Sequence, residues 1–293
     1  MEALGFARSL LFTPADRPDR FGKSIAVGAD GAVLDLEDGV GLPNKEKARR
    51  AALSFFASSP KAPDDFLFAV RFNHVSTEDG LKDLLAFAGA SARPGVIMLP
   101  KTESVFEVEI ALAHLRKGNE LPRIIALIES GRGLAAAEAI AAHPAVDALG
   151  FGGADLAADL GAQLAWESML FARSRIVQAA ATAHIAACDV PFLDIRDGAG
   201  LKRETEAAKA LGYGCKLAIH PAQVPVINTV FTPTATEYTA AERIVTAADA
   251  AHGSAIQLDG QMVDVPVVKS ARRTVQLYHR AAPTTPTLRR ISS

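Results

Sequence analysis

Eight short apolar runs recur along the first 231 residues, each followed by a segment of helical periodicity, and this alternation limits the fold more than any other feature. The runs are Ser9–Thr13 up to Pro14, Ala32–Asp38, Phe66–Phe72, Val96–Leu99, Ile124–Ile128, Ala148–Gly153, Val190–Ile195 and Lys216–Ile219. Runs this short and continuously apolar read as parallel strands buried on both faces, and the segments between them read as crossover helices. Eight such units in about 230 residues match a (β/α)8 TIM barrel, an α/β fold. A doubly wound open sheet is the competing architecture, but no Gly-x-Gly-x-x-Gly turn follows the first strand.

Local signals set the expected helix bounds. Asp16 is expected to cap a helix through Arg20, Phe21 and Ile25. Pro43 and Asn44 open one that runs to Ala57, Thr77 caps one through Leu81 and Leu85, and Thr102 opens one to Gly118. Trp166–Ala187 reads as a single long helix. The pattern changes at Thr232: Glu237–Ala251 and Val267–Ala281 read as helices flanking an Asp259-Gly260 hairpin turn. The expected division is therefore a catalytic barrel over 1–231, a C-terminal lid and oligomerisation segment over 232–282, and a disordered tail over 283–293.

Polar residues gather where the strands end. In a barrel of this kind that rim carries the chemistry. Glu129 follows Ile124–Ile128 and Asp155 follows the next run, so neighbouring strands deliver two carboxylates to one edge. Such a pair suits a hard divalent cation, Mg2+ or in its place Mn2+. Glu37, Asp38, Arg71, Asn73, Lys101 and His220 end other strands. Lys101 suits either a Schiff-base lysine or an ion pair with a barrel carboxylate, and the Glu129/Asp155 pair favours the latter. His220, followed by Pro221, reads as a structural hydrogen-bonding residue.

Composition excludes several classes. Lys and Arg total 31 against 33 Asp and Glu, which leaves no basic footprint for nucleic acid. No apolar run reaches transmembrane length, and no basic segment leads into an apolar one at the N-terminus. With 2 cysteines, Cys188 and Cys215, buried structural thiols and a reducing cytoplasm are expected.

Seven short motifs in register then carry a resemblance. They are Arg8-Ser9-Leu10-Leu11-Phe12-Thr13-Pro14, Asp35-Leu36-Glu37-Asp38, Arg71-Phe72-Asn73, Leu99-Pro100-Lys101, Ile128-Glu129-Ser130, Gly152-Gly153-Ala154-Asp155-Leu156 and Ile219-His220-Pro221-Ala222-Gln223. The chain resembles the citrate lyase beta-subunit-like family of the HpcH/HpaI aldolase group, which includes malyl-CoA, citramalyl-CoA and citryl-CoA lyases. The resemblance implies a Mg2+-dependent carbon–carbon lyase that acts on an acyl-CoA and a 2-oxo acid, assembled as a homo-oligomer, a trimer or hexamer. It implies Glu129 and Asp155 as metal ligands, Arg71 on substrate oxygens, and Glu37 and Asp38 as holders of metal-bound water. Arg8, Pro14 and Arg17 would stand near substrate or CoA, with Glu129 also facing the substrate. Asp264 would be a lid aspartate reaching a neighbouring subunit's site. The chain departs from the family pattern at Ala15, where glycine is expected, without losing any of these groups. Three other activities fit the same residues: an aldolase on CoA-free hydroxy-oxo acids, a thioesterase on malyl-CoA-like substrates, and a citrate lyase subunit requiring an acyl carrier partner.

Overall fold

The structure is a computed structural model that describes residues 4–5, 7–58, 61–118, 120–251 and 255–281. It divides into two compact units, Met1–Phe231 and Thr232–Ser293. In the first unit eight strands close in sequence order into a barrel. They are β1 (Ser9–Pro14), β2 (Gly31–Asp35), β3 (Leu67–Arg71), β4 (Val96–Leu99), β5 (Arg123–Ile128), β6 (Val146–Phe151), β7 (Ala186–Asp189) and β8 (Cys215–Ala218). All neighbours are parallel, and β1 closes the ring on β8 through Ser9↔Lys216.

Side-chain parity follows the strands. Leu10, Val33, Ala69, Met98, Ile125, Leu127, Ala148, Cys188 and Leu217 form one buried cluster, the filled barrel interior. Their alternates Leu34, Val70, Ile97, Ala126 and Leu149 join a larger cluster with Ala48, Leu84, Val108, Ile140 and Ile176 from the surrounding helices. Continued one step further, the inward parity brings Asp35, Arg71 and Glu129 to the barrel mouth.

Several boundaries differ from those the sequence suggests. Asp16 caps no helix; it accepts from Asn44 Nδ2 at 3.2 Å, and the segment after it breaks into two turns, Pro18–Arg20 and Lys23–Ala26. The helix Val105–Leu115 starts from Ser104 in a capping box with Glu107, while Thr102 Oγ1 bonds to Leu99 O instead. The largest shift concerns the seventh strand. The preceding helix ends at Thr182, and His184 adopts φ 58 to turn the chain, so β7 is the alanine-rich Ala186–Asp189 rather than Val190–Ile195. Alanine reads as helix in isolation, whereas here it fits a strand packed on both faces. Asp194 accordingly lies in the loop and accepts from Arg196 N at 2.9 Å.

Outside the barrel wall, charge is buried as a network. Asp189 accepts from Lys216 Nζ at 2.5 Å and from Arg173 Nε at 3.0 Å, and Glu204 accepts from Lys216 at 2.8 Å. Arg173 also lies over Phe151 and Trp166, at 4.8 and 4.6 Å from the ring centroids. This ties the helices Trp166–Thr182 and Gly198–Leu211 to β7 and β8.

The second unit holds the helix Ala235–Ala250, capped by Thr234, the hairpin β9 (Ile256–Leu258) and β10 (Gln261–Val263), and the helix Val265–Ala281. The hairpin turns at Asp259 (φ 51) and Gly260 (φ 80), the pair of positive φ values that an Asp-Gly turn supplies. Tyr238 and Tyr278 stack at 4.3 Å between the two helices. The tail 283–293 lies outside the described residues. No helix is long and apolar enough to cross a membrane among the described residues.

Asp189→Ala should leave Arg173 and Lys216 buried with Glu204, at the edge of the network, as their remaining shared acid. A loss of about 3–5 kcal/mol in chemical denaturation is expected. Stability equal to the parent would show that the network contributes nothing to holding these helices.

Candidate active site

The mouth of the barrel is built around Asp35, the last residue of β2. Its carboxylate accepts from Glu37 N and Gly39 N at 2.9 Å each, and from Arg71 Nε and Nη2 at 2.7 Å each. A Cβ at position 39 would collide with the Asp35 carboxylate, so glycine permits this loop to close over it. Arg71 therefore forms a bidentate pair within the rim, with its guanidinium carbon 4.7 Å from the Phe12 ring centroid. Its third nitrogen, Nη1, lies 2.9 Å from Glu37 Oε2 outside hydrogen-bonding geometry. That oxygen is buried and has no hydrogen-bond partner.

Lys45 fixes the same loop from below. Its buried ammonium donates to Leu36 O and Glu37 O at 2.7 Å each and to Asn73 Oδ1 at 2.6 Å. Asn73 is in turn held by Asp83, which accepts from its backbone and side-chain nitrogens at 2.9 and 2.7 Å.

Lys101 is the residue that joins the acids. It follows β4 with φ 48, in the left-handed region that a lysine adopts only at some cost. That backbone directs its N–H to Glu129 Oε2 at 2.7 Å, while Nζ donates to Glu37 Oε1 at 2.8 Å. The same ammonium lies 3.5 Å from Asp38 Oδ2 and 3.5 Å from Asp155 Oδ2. Asp155 sits in the first turn of the helix Gly153–Asp159. Gly152 clears the way for the neighbouring acid, since a Cβ there would meet Glu129 Cγ.

Burial and like charge shape the titration of this cluster. Burial, then the charge of Glu37, push the Glu129 carboxyl up to about 7, against the opposing pull of Arg71. Glu37 is also raised, by burial first, although Arg71 and Lys101 favour its ionised form. Burial works against the charge on Lys101, but the hydrogen bond and charge of Glu37, with Asp38 and Asp155, outweigh it and raise its pKa.

Not every residue singled out in the sequence arrives here. Arg8 precedes β1 at the opposite, N-terminal end of the barrel, where Nε and Nη2 bind the Asp30 carboxylate at 2.9 and 2.7 Å. Its expected place near substrate or CoA is corrected by strand direction: the whole of β1 separates it from the rim. Pro14 ends β1 at the rim, and Arg17 in the following loop is exposed and pairs with Asp19 at 3.2 Å. His220 Nδ1 accepts from Ala222 N at 3.2 Å, a structural role. Asp264 lies in the second unit, between β10 and the last helix, where its Oδ1 is 3.5 Å from Val267 N. Cys188 and Cys215 are free, buried and paired in register on β7 and β8. Asp35 and Lys45 also hold the rim, although each looks in sequence like an ordinary strand-end acid or helix lysine.

Among the described residues no three His, Cys, Asp or Glu side chains form a ready cation cage. A hard cation such as Mg2+ needs fewer, since it keeps several waters and takes one or two carboxylates. Glu129 and Asp155 would provide such a pair, and the buried Glu37 oxygen, ion-paired with Arg71 but free of hydrogen bonds, would accept one from water held there. The donor set is all oxygen, which fits that class of ion.

A closed parallel barrel with buried acids and a cationic fork at its C-terminal rim defines a (β/α)8 enzyme with a polar active site. Residues 8–221 match the HpcH/HpaI aldolase/citrate lyase model, and 168–277 match a C-C bond lyase of the TIM-barrel fold. A citrate lyase subunit beta-like protein of Mycobacterium tuberculosis is 39% identical over 89% of this chain and 92% of its own length. The mitochondrial citramalyl-CoA lyase of Homo sapiens is 32% identical over 92% of this chain and 85% of its own. The crystal structure of CitE from Mycobacterium tuberculosis, in complex with magnesium, acetoacetate and coenzyme A, superposes with a TM-score of 0.78. It is 34% identical and covers 94% of this chain and 99% of that one. The chain belongs to the HpcH/HpaI aldolase/citrate lyase family and is a carbon–carbon lyase.

With the cation chelated away, the raised Glu129 carboxyl makes a signed prediction. The folded state holds this proton up to about 7 and the unfolded chain only to 4.5, so stability falls as pH rises across that window. Glu129→Gln should flatten the decline in thermal melts run in EDTA. An identical slope in both proteins would contradict the buried, like-charged setting described for Glu129.

Proposed function

We propose that this protein cleaves, or in reverse forms, a 3-hydroxy-acyl-CoA that carries a carboxylate, giving acetyl-CoA or a homologue and a 2-oxo acid. The observation that carries this reading is the Glu129–Asp155–Lys101–Glu37–Arg71 cluster at the mouth of a barrel of this family. Magnesium and coenzyme A in the related CitE structure support it, as does the citramalyl-CoA lyase activity in a relative's name. Glu129 and Asp155 would hold Mg2+, with Mn2+ as its substitute. When bound, the ion supplies a Lewis acid for a 2-hydroxy or 2-oxo carboxylate.

The chain's own groups account for the rest. Arg71, fixed by Asp35, presents a permanent charge beside Glu37 at the barrel mouth, suited to an oxygen that becomes negative as the carbon–carbon bond breaks. Glu37 and Asp38 would orient water near that cation. Asp264 would exchange the proton of the acetyl carbon. It would serve the site of a neighbouring subunit as part of a lid in a homo-oligomer, for which a trimer is expected. Pro14 and Arg17, in the loop after β1, would face the acyl-CoA.

A panel of citramalyl-CoA, malyl-CoA and citryl-CoA, assayed with Mg2+ and then EDTA, tests the reading. Metal-dependent release of a 2-oxo acid and an acyl-CoA is expected. Glu129→Gln and Asp155→Asn should lose cation affinity and turnover together. Arg71→Lys should lower kcat/KM by about two orders of magnitude, as loss of a preorganised oxyanion partner does. Asp264→Ala should lose turnover while keeping cation affinity. Release of free CoA with an intact acid would show thioester hydrolysis instead, and turnover unaffected by EDTA would refute the metal's part.

A further inference from the structure

Lys101 reaches four acids of the rim, Glu37, Asp38, Glu129 and Asp155, and leaves Asp35 to Arg71. Its ammonium is 2.8 Å from Glu37, 3.5 Å from Asp38 and 3.5 Å from Asp155, and its main-chain N–H is 2.7 Å from Glu129. The two grips differ in kind. The main-chain bond engages Glu129 Oε2 and leaves Oε1 for another partner. The ammonium instead faces Asp155 Oδ2, half-exposed at the rim, with its own positive charge. A divalent cation drawn to Asp155 meets that charge at close range.

The anchoring of Lys101 separates these roles. Its left-handed backbone, φ 48, is tied to Glu129, so the main chain stays in place whatever the side chain does. A lysine ammonium is a compact charge on a flexible four-carbon stem, able to keep Glu37 while leaving Asp155. Glu37, the nearer partner, is buried and already faces Arg71, which holds the lysine inside the rim.

We propose that Lys101 is the resident counter-cation of this rim, screening the acids when the site is metal-free and competing with the divalent cation for Asp155. It is thereby a positioning residue that sets cation affinity. The proposal rests on the reading that Glu129 and Asp155 hold the cation. Two consequences separate it from a purely structural role. Removing the charge tightens cation binding, because Asp155 is released and the local field becomes more negative. Removing it also destabilises the metal-free protein, because the acids lose their screen, and added cation restores the difference.

The test is Mn2+ titration of the full-length protein by calorimetry and electron paramagnetic resonance, with thermal melts in EDTA and in saturating Mn2+. Lys101→Met should bind Mn2+ about tenfold tighter than the parent, the scale expected for one nearby charge in a solvent-screened site. Lys101→Gln, which keeps a donor and loses the charge, should do the same and serves if the methionine variant misfolds. Lys101→Arg should stay near the parent. Both neutral variants should melt lower than the parent in EDTA and recover with Mn2+. Equal or weaker binding in a natively folded neutral variant would overturn the proposal, as would Lys101→Arg behaving like Lys101→Met. Glu129→Gln separates the two levels of inference. If the parent binds no Mn2+, or Glu129→Gln binds it as well as the parent, the metal reading itself fails and the role of Lys101 fails with it.

Discussion

Asp35, Glu37 and Glu129 are buried together at the mouth of one barrel, where removing a carboxylate from water costs several kcal/mol unless charge and hydrogen bonds compensate. The rest of the rim answers that cost. Arg71 takes both oxygens of Asp35, Lys101 takes one oxygen of Glu37, and the Lys101 amide takes one of Glu129. What remains only partly compensated marks the reactive part of the site: a Glu37 oxygen that faces Arg71 without a hydrogen bond and a Glu129 carboxyl pushed up to about 7. Perturbed acids of this kind in a concave site are characteristic of catalysis.

The same constraint explains a division of labour between the two arginine and lysine side chains. Arg71 is planar and forked, matches a carboxylate bidentately and becomes part of the wall. Lys101 is a single charge that reaches several acids at longer range. Elsewhere in the barrel the protein solves a similar problem differently. Arg173 and Lys216 are matched by Asp189 and Glu204 behind the barrel wall, and the four lock helices to strands. One network is closed and supports the scaffold; the other is left open at one side.

Much of this was legible in the sequence. Val96–Leu99 is delimited as a strand to the residue, Glu129 and Arg71 follow from strand ends because period-two alternation fixes which side chains reach the mouth, and Asp155 stands in the turn of helix just past β6. Thr77 and the Asp259-Gly260 turn were equally plain, since capping and turn chemistry are local. Other features depend on tertiary structure. The seventh strand was displaced because Ala186 and Ala187 carry a helical preference that packing overrides, and His184 ended the helix without a glycine to announce it. Arg8 lies in a family-like motif, yet strand direction sends it to the far end of the barrel with Asp30. Lys101 was visible as a strand-end lysine, but its left-handed backbone and its reach across the rim arise only when four loops converge.

The account turns on where a divalent cation binds. Crystals grown with Mn2+ and examined by anomalous scattering at the manganese edge locate it directly. The predicted result is one strong peak at the barrel mouth, within coordination distance of Glu129 and Asp155, that disappears in Glu129→Gln crystals. A peak bound elsewhere on the chain, or an empty rim at saturating Mn2+, would contradict the account.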